Sequence, residues 1–388
     1  MSFEDLMDAF NSGDEVSCYK TMKVRDFIEF NPKESLKKGE LATKVTMDKL
    51  LPFEKFISSM EQAPFSGGSK FKNGDTLLAR ITPCLENGKT AFVDGLKDGE
   101  VAFGSTEFIV LRCREGVSDP QYIYYLATSS FFRNVAIKSM VGSSGRQRVQ
   151  IGALEDIDIK VPSLEEQRKI ASRLALLDSK IALNSRINDN LQKQAEAIYS
   201  RLYIDARNCN QVPLKDIANI TMGQSPAGHS CSEKNEGTVF YQGRAEFGFR
   251  FPTRRLFTTE PKRMAKVGDI LLSVRAPVGD INVAYEDCCI GRGLSAIESK
   301  TGEPSFLLYT LRYLRHQFEV FNAEGTVFGN INKEQLNNFQ INLPPKGKIK
   351  EFESIVQPMD DLILMNFKEN NLLNELKEKL LLNFFSNK

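Results

Sequence analysis

Residues 170–202 read IASRLALLDSKIALNSRINDNLQKQAEAIYSRL, and the spacing of their apolar positions decides the architecture. From Ile170 a seam runs through Leu174, Leu177, Ile181, Asn184, Asn188, Leu191, Ala195, Ile198 and Leu202, mostly in alternating steps of four and three. That period gives a helix a narrow apolar stripe, of the width one partner helix covers. A second seam runs through Phe352, Val356, Met359, Ile363, Asn366, Asn370, Leu373, Lys377, Leu380 and Phe384. Together they predict two long helices, each spanning roughly 50–60 Å at 1.5 Å per residue. Packing of each helix on its own globular unit is the plainer alternative, but the polar seam positions favour pairing. In an antiparallel pair centred near Arg186 and Lys368, Asn184 faces Asn370 and Asn188 faces Asn366. A buried asparagine costs stability unless matched, and matched pairs set register and orientation. Two positions fit less well. Pro358 predicts a kink or a late helix start, and Lys377 is expected to pack by its stem with its ammonium in water.

These helices are the constant part of an internal repeat. At an offset of 182, Val149 falls on Ile331, Leu154 on Leu336, Ile159 on Ile341, Asp178 on Asp360, Ile181 on Ile363 and Leu191 on Leu373. Upstream the offset becomes 194, placing Gly74-Asp75 on Gly268-Asp269, Leu77-Leu78 on Leu271-Leu272 and Pro83 on Pro277. The second copy is therefore 12 residues shorter between Pro83 and Val149. Each half has a variable first part and a second part of constant length. The expected fold is mixed α/β (α+β): globular units at 1–162 and 205–345, helices at 163–204 and 346–388 forming an antiparallel coiled coil, and a pseudo-two-fold repeat relating the halves. Within the units, Thr76–Ile81 and Ile270–Val274 read as buried strands after Gly-Asp turns. Phe247, Phe249 and Phe251 alternate as in a strand, and 120–126 and 304–314 read as helices opened by proline.

Composition narrows the function. Lys and Arg number 51 against 50 Asp and Glu, for a net charge of +1, which argues against a protein that coats DNA non-specifically. One stretch departs from neutrality: Arg244, Arg250, Arg254, Arg255, Lys262, Arg263, Lys266 and Arg275 stand among only three acids, Glu246, Glu260 and Asp269. No apolar run is long enough to span a membrane, and the start lacks the order of a secretory signal. Seven cysteines without a C-x-x-C pair, and two histidines, point to reduced thiols in a cytoplasmic protein and to no metal site. Catalytic motifs are missing too. Asn87-Gly88-Lys89-Thr90 resembles the end of a phosphate loop, but Pro83 replaces the required glycine, so it reads as a hairpin turn. Gly291-Arg292-Gly293 lacks the third glycine of a dinucleotide site. The single Pro-Pro, at Pro344-Pro345, does not form the Asn/Asp-Pro-Pro-aromatic sequence of an adenine methyltransferase. No catalytic residue is assigned.

The stretch from Val161-Pro162-Ser163-Leu164-Glu165-Glu166-Gln167 through Leu177-Asp178-Ser179-Lys180-Ile181 to Ala197-Ile198-Tyr199 resembles the central helical region of type I restriction-modification specificity subunits. Phe103-Gly104-Ser105-Thr106-Glu107-Phe108 and Gly268-Asp269-Ile270 through Gly279-Asp280 are similar to segments of that family's target recognition domains. The resemblance covers nearly the whole chain. It departs at Lys348-Ile349-Lys350, where the second helix lacks the Glu-Glu-Gln of the first. It implies a non-catalytic subunit whose two domains each read half of a gapped double-stranded DNA site, with the helices setting the gap. It further implies two methylation subunits as partners and, where a complex also cleaves, two restriction subunits. S-adenosylmethionine, ATP and Mg would belong to those partners. A coiled-coil scaffold that binds proteins is the competing reading, and a self-contained methyltransferase the second.

Base edges are read by arginine on guanine and by asparagine or glutamine on adenine. In the first unit the candidates are the glycine-bounded loop Gly142–Arg148, with Ser143, Ser144, Arg146, Gln147 and Arg148, together with Lys70, Lys72 and Arg80. In the second they are Gln224, Gln242, Arg244, Arg250, Arg254, Arg255 and Arg275, with the counterpart loop Gly325–Asn330 ending at Asn330.

Overall fold

The computed structural model describes residues 19–205, 209–322 and 329–385. They form two compact units, one made of residues up to 184 and from 368 onward, the other of residues 185–367. The boundary between the units runs through the middle of both long helices. The reason is apolar packing. In the first unit Ile170, Ala171, Leu174, Leu177, Leu376, Leu380 and Phe385 join the same core as the sheet and helices of the globular head. In the second, Ala195, Tyr199, Leu202, Ile349, Phe352 and Val356 do the same. Pairing between the helices and packing on a head are therefore both present.

The two heads have matching internal topologies. The first contains an antiparallel sheet of Ile28–Phe30, Phe108–Cys113, Thr76–Ala79 and Thr90–Phe92, in that spatial order. In the second, Ala218–Met222, Leu294–Ser299, Ile270–Ser273 and Ile281–Val283 take the same order. A further sheet in each head contains a parallel pair, with Lys44 opposite Phe103 in one and Phe240 opposite Cys289 in the other. Asn87–Lys89 lies in the connection between Thr76–Ala79 and its antiparallel neighbour Thr90–Phe92, as a hairpin turn should. Head helices run over Pro120–Thr128 and Pro304–Tyr313. Asp119 caps the first by accepting from the amides of Gln121 and Tyr122. In the second that work falls to Glu353, whose carboxylate accepts from Ser305 and Phe306 at 3.0 and 2.8 Å.

The Phe247–Phe251 alternation is not a strand. Arg244–Glu246 is a short 3-10 turn, and Phe247 makes only an isolated bridge to Pro252. Phe249 faces solvent while Arg250 and Phe251 point inward and Phe247 is half-buried, so the strict alternation of a strand is not kept. The interior here offers Arg250 ionic partners, which outweigh local propensity.

The central helix spans Leu164–Asp205 and the second Lys346–Phe385. Ser163 opens the first, its hydroxyl accepting from the amide of Glu166. The second runs unbroken through Pro358, so no late start occurs. In the first unit the Asn184 amide donates to Asn370 at 2.9 Å and to Glu369 at 2.6 Å. In the second unit Asn366 donates to Asn188 at 2.8 Å. Both layers have the antiparallel register expected. Lys377 corrects its expectation: its ammonium meets Asp178 at 2.8 Å, with side-chain exposures of 13% and 5%, rather than reaching water.

Each unit also ties its head to its helix with a buried cation. In the first, the Lys55 ammonium donates to Tyr125 Oη (3.0 Å) and Gln121 (2.7 Å), and Tyr125 donates to Asp178 at 2.6 Å. In the second, Arg250 donates to Tyr309 Oη (2.9 Å) and Asp360 (2.8 Å), and Tyr309 donates to Asp360 at 2.9 Å. Burial pushes the Lys55 ammonium down to about 8 from 10.5; Asp178, Asp94 and Asp119 oppose this and Lys377 adds to it.

Two stability effects follow. Asn188→Leu strands the Asn366 amide and should cost about 1–3 kcal/mol in denaturant unfolding, while Asn188→Leu with Asn366→Leu recovers the loss. A single variant as stable as the wild type would contradict the layer. For Lys55, a folded value below the unfolded one means that protonation penalises the folded state, so its contribution is least favourable below pH 8 and improves as pH rises toward 10.5. Relative to Lys55→Met, the wild type should gain about 2 kcal/mol between pH 7 and pH 9.5.

Candidate nucleic-acid interface

In each head the chain leaves a buried strand, Thr76–Ala79 or Ile270–Ser273, and turns through a cis proline at Thr82–Pro83 or Ala276–Pro277. A loop from later in the chain is pinned to that turn. In the first head the Thr82 amide donates to Gln147 O (3.0 Å) and the Val149 amide to Arg80 O (2.9 Å), with Ile81 bridged to Arg148. In the second the Ala276 amide donates to Gly329 O (2.9 Å) and the Ile331 amide to Val274 O (3.0 Å), with Arg275 bridged to Asn330. Every partner in one set is the repeat counterpart of a partner in the other. The same anchor therefore presents a different loop from each head.

In the first head this loop is exposed and rich in donors. Gly142 and Gly145 have φ of 143° and 78°, which side-chain-bearing residues rarely adopt, and they allow the Arg146 amide to reach back to Ser143 O at 3.0 Å. Ser143, Ser144 and Arg146 are exposed and Gln147 half-exposed. Arg148 is exposed as well, but it is held by a forked ion pair to Glu107 at 2.6–3.1 Å. Lys72 pairs with Glu34 at 2.8 Å, and Lys70 donates to the Glu34 carbonyl at 2.7 Å. Arg80 is half-buried, and its Nε has no partner among the described residues. In the second head, 325–328 of the counterpart loop lie outside the described residues, while Asn330 is exposed beside Arg275.

The positive stretch of the second head is largely neutralised by carboxylates, most of them outside the stretch. Arg244 pairs with Asp280, Arg254 with Glu286 (2.6 Å), Arg255 with Glu246 (2.5 Å) and Lys266 with Glu298 (3.8 Å). Arg250 is 2% exposed and engaged by Asp360, Tyr309 and Gln192. It is thereby removed from the candidate readers, since no guanidinium donor faces outward. Lys262, Arg263 and Arg275 are exposed without side-chain partners among the described residues.

Gln224 and Gln242 come together through glycine. A Cβ on Gly223 would stand 2.1 Å from Gly291 O, and one on Gly291 would stand 2.8 Å from Gln242 O. This close approach brings exposed Gln224, Gln242 and Arg292 to one edge. Arg292 was missed by the sequence reading because Gly-Arg-Gly was weighed only as a nucleotide motif; its signal was a donor flanked by two glycines. Among the described residues no group of three or more His, Cys, Asp or Glu could hold a metal ion, and no helix is long and apolar enough to cross a membrane.

A duplicated α+β head, each copy followed by a long helix and presenting a donor-rich edge, defines a two-headed recognition protein. The family model of the type I restriction modification DNA specificity domain matches the chain twice, over residues 17–193 and 207–378, and the chain belongs to that family. It is 31% identical over 332 residues to a Methanocaldococcus jannaschii protein named as the type I restriction enzyme MjaX specificity subunit, covering 79% of this chain and 76% of that one. A shorter match, 37% identical over 113 residues, joins 29% of this chain to 19% of the EcoAI specificity subunit of Escherichia coli. The crystal structure of a type I restriction-modification S subunit from M. genitalium superposes with a TM-score of 0.62, covering 97% of this chain and 98% of that chain. At 16% identity this last likeness concerns the fold.

The division between committed and free arginines is measurable. Arg250→Ala leaves half-buried Asp360 without its cation and empties the space of a buried side chain, and should destabilise the chain by about 3 kcal/mol. Arg275→Ala should stay within about 0.5 kcal/mol of the wild type. Equal losses in thermal or denaturant unfolding would refute the distinction.

Proposed function

We propose that each head reads one half of a bipartite, gapped double-stranded DNA site, that the two long helices set the gap, and that the same helices carry two methylation subunits. The observation that carries this reading is the repeated anchor: one backbone scaffold, built twice, holding a donor-rich loop in the first head and, in the second, a segment of different sequence that ends at exposed Asn330. Recognition of an asymmetric site requires different loops, and two copies of one partner require similar docking helices. Arg146, Gln147, Ser143 and Ser144 in the first head, and Arg275, Asn330, Gln224 and Gln242 in the second, are the base-reading candidates with free side chains. Lys70, Lys72, Arg148, Arg244, Arg254 and Arg255 hold internal partners, and a role for them on DNA would require an exchange of partners for phosphates.

Methyl transfer and any cleavage belong to the partner subunits in this scheme, with S-adenosylmethionine, ATP and Mg bound there and restriction subunits joining where the complex cleaves. Near-zero net charge, with much of the basic side-chain inventory paired internally, supports weak non-specific affinity and dependence on base contacts. Membership of the specificity family weighs against the protein scaffold.

Mapping methylated adenines in the source genome should reveal one gapped motif. The chain with its methylation subunits should prefer that duplex over a scrambled one by at least about a thousandfold. Absence of a preference would remove the reading. The isolated chain should bind no S-adenosylmethionine. Seven residues inserted into both helices should lengthen the preferred gap by about three base pairs, at 1.5 Å per residue and roughly 34 Å per DNA turn. An unchanged gap would sink the ruler.

A further inference from the structure

We propose that the Lys55–Tyr125–Asp178 and Arg250–Tyr309–Asp360 clusters are positioning clamps, each holding its head at one angle on the long helices so that the complex discriminates between DNA gaps of different length. This rests on the bipartite reading above and assigns a role within it to six residues that touch no DNA.

The clusters are repeat counterparts built from unlike cations. Asp178 and Asp360 stand 182 residues apart on the long helices, and Tyr125 and Tyr309 are each the sixth residue of the corresponding head helix. The cation comes from a third element, the segment around Lys55 in one head and the turn around Arg250 in the other. What is shared is the connection: a cation donates to a tyrosine hydroxyl, which donates to a carboxylate on the long helix. Burial, reinforced by the neighbouring aspartate and opposed at Tyr309 by the Arg250 cation, pushes both phenols upward, so each stays protonated and can serve as that relay. The surroundings differ. Lys377 adds a second cation on Asp178, while Gln192 takes further guanidinium donors of Arg250.

Stability alone is a poor reason for this arrangement. A buried ion pair is often no better than apolar side chains of equal volume, because desolvation offsets the attraction. Both heads already share an extensive apolar core with their helices. Apolar contacts, however, are non-directional and tolerate small rotations. Charge-assisted hydrogen bonds do not, since they weaken steeply off axis. A three-element clamp at the joint of head and helix therefore contributes angle, and a small change of angle at the joint becomes a larger displacement at the reading loop.

The test uses the full chain with its methylation subunits, on duplexes carrying the mapped site with the native gap or a gap altered by one base pair. Tyr125→Phe and Tyr309→Phe keep the ring and remove the relay. Each should reduce the affinity ratio between native and altered gaps by about tenfold, with native-gap affinity changed less than about threefold. Lys55→Met should behave like Tyr125→Phe, and Lys55→Arg should restore discrimination. Parallel loss of affinity on all gaps, or a lowered melting temperature with the ratio intact, would overturn the proposal by reducing the clusters to structural supports. Failure of the wild type to prefer any gapped site would instead count against the bipartite reading itself.

Discussion

The contact between the two asparagine-bearing seams is the constraint from which most of the structure follows. Asn184 meets Asn370 in one unit and Asn188 meets Asn366 in the other. Each such pair is comfortable in one register only, because a slip of one turn would bury unsatisfied amides against apolar neighbours. Once the register is set, the heights of the remaining helix residues are set as well. Asp178 then stands beside Lys377, and Asp360 lies within reach of Arg250. Toward the helix ends the seam residues themselves, among them Ile170, Leu174, Leu202 and Val356, complete the cores of the heads, so each head builds its interior with them.

Charge is arranged to match. The chain is close to neutral, and in the stretch that looks basic Arg244, Arg250, Arg254, Arg255 and Lys266 are answered by carboxylates while Lys262, Arg263 and Arg275 are not. Free donors remain where the repeated turn anchors a loop and where glycines draw two glutamines together. A surface of this kind gains little from phosphates in general and depends on matching particular base edges. That behaviour accords with the proposed reading of one half-site by each head.

Some misreadings share one cause. The Phe247–Phe251 alternation suggested a strand, and Arg250 a DNA contact, because local pattern ranks residues by their neighbours in sequence. Asp360 and Tyr309, 110 and 59 residues away, draw that arginine inward and leave Phe249 in solvent. Lys55 drew no attention for the same reason: nothing near it in sequence announces Tyr125 or Asp178. Lys377 was expected to seek water because its partner lies 199 residues away.

The sequence by itself determined the periodic and repeated features: two long helices, their antiparallel asparagine register, the duplicated heads and the family. These are legible because helix period, seam polarity and internal alignment are properties of order along the chain. Tertiary structure decided which charges are free and which are consumed, how each helix divides between partner helix and head core, and where the two anchored loops converge on their turns. Those outcomes depend on distances between residues far apart in sequence, and an ion pair or a buried tyrosine relay exists only once the fold has brought its members within about 3 Å.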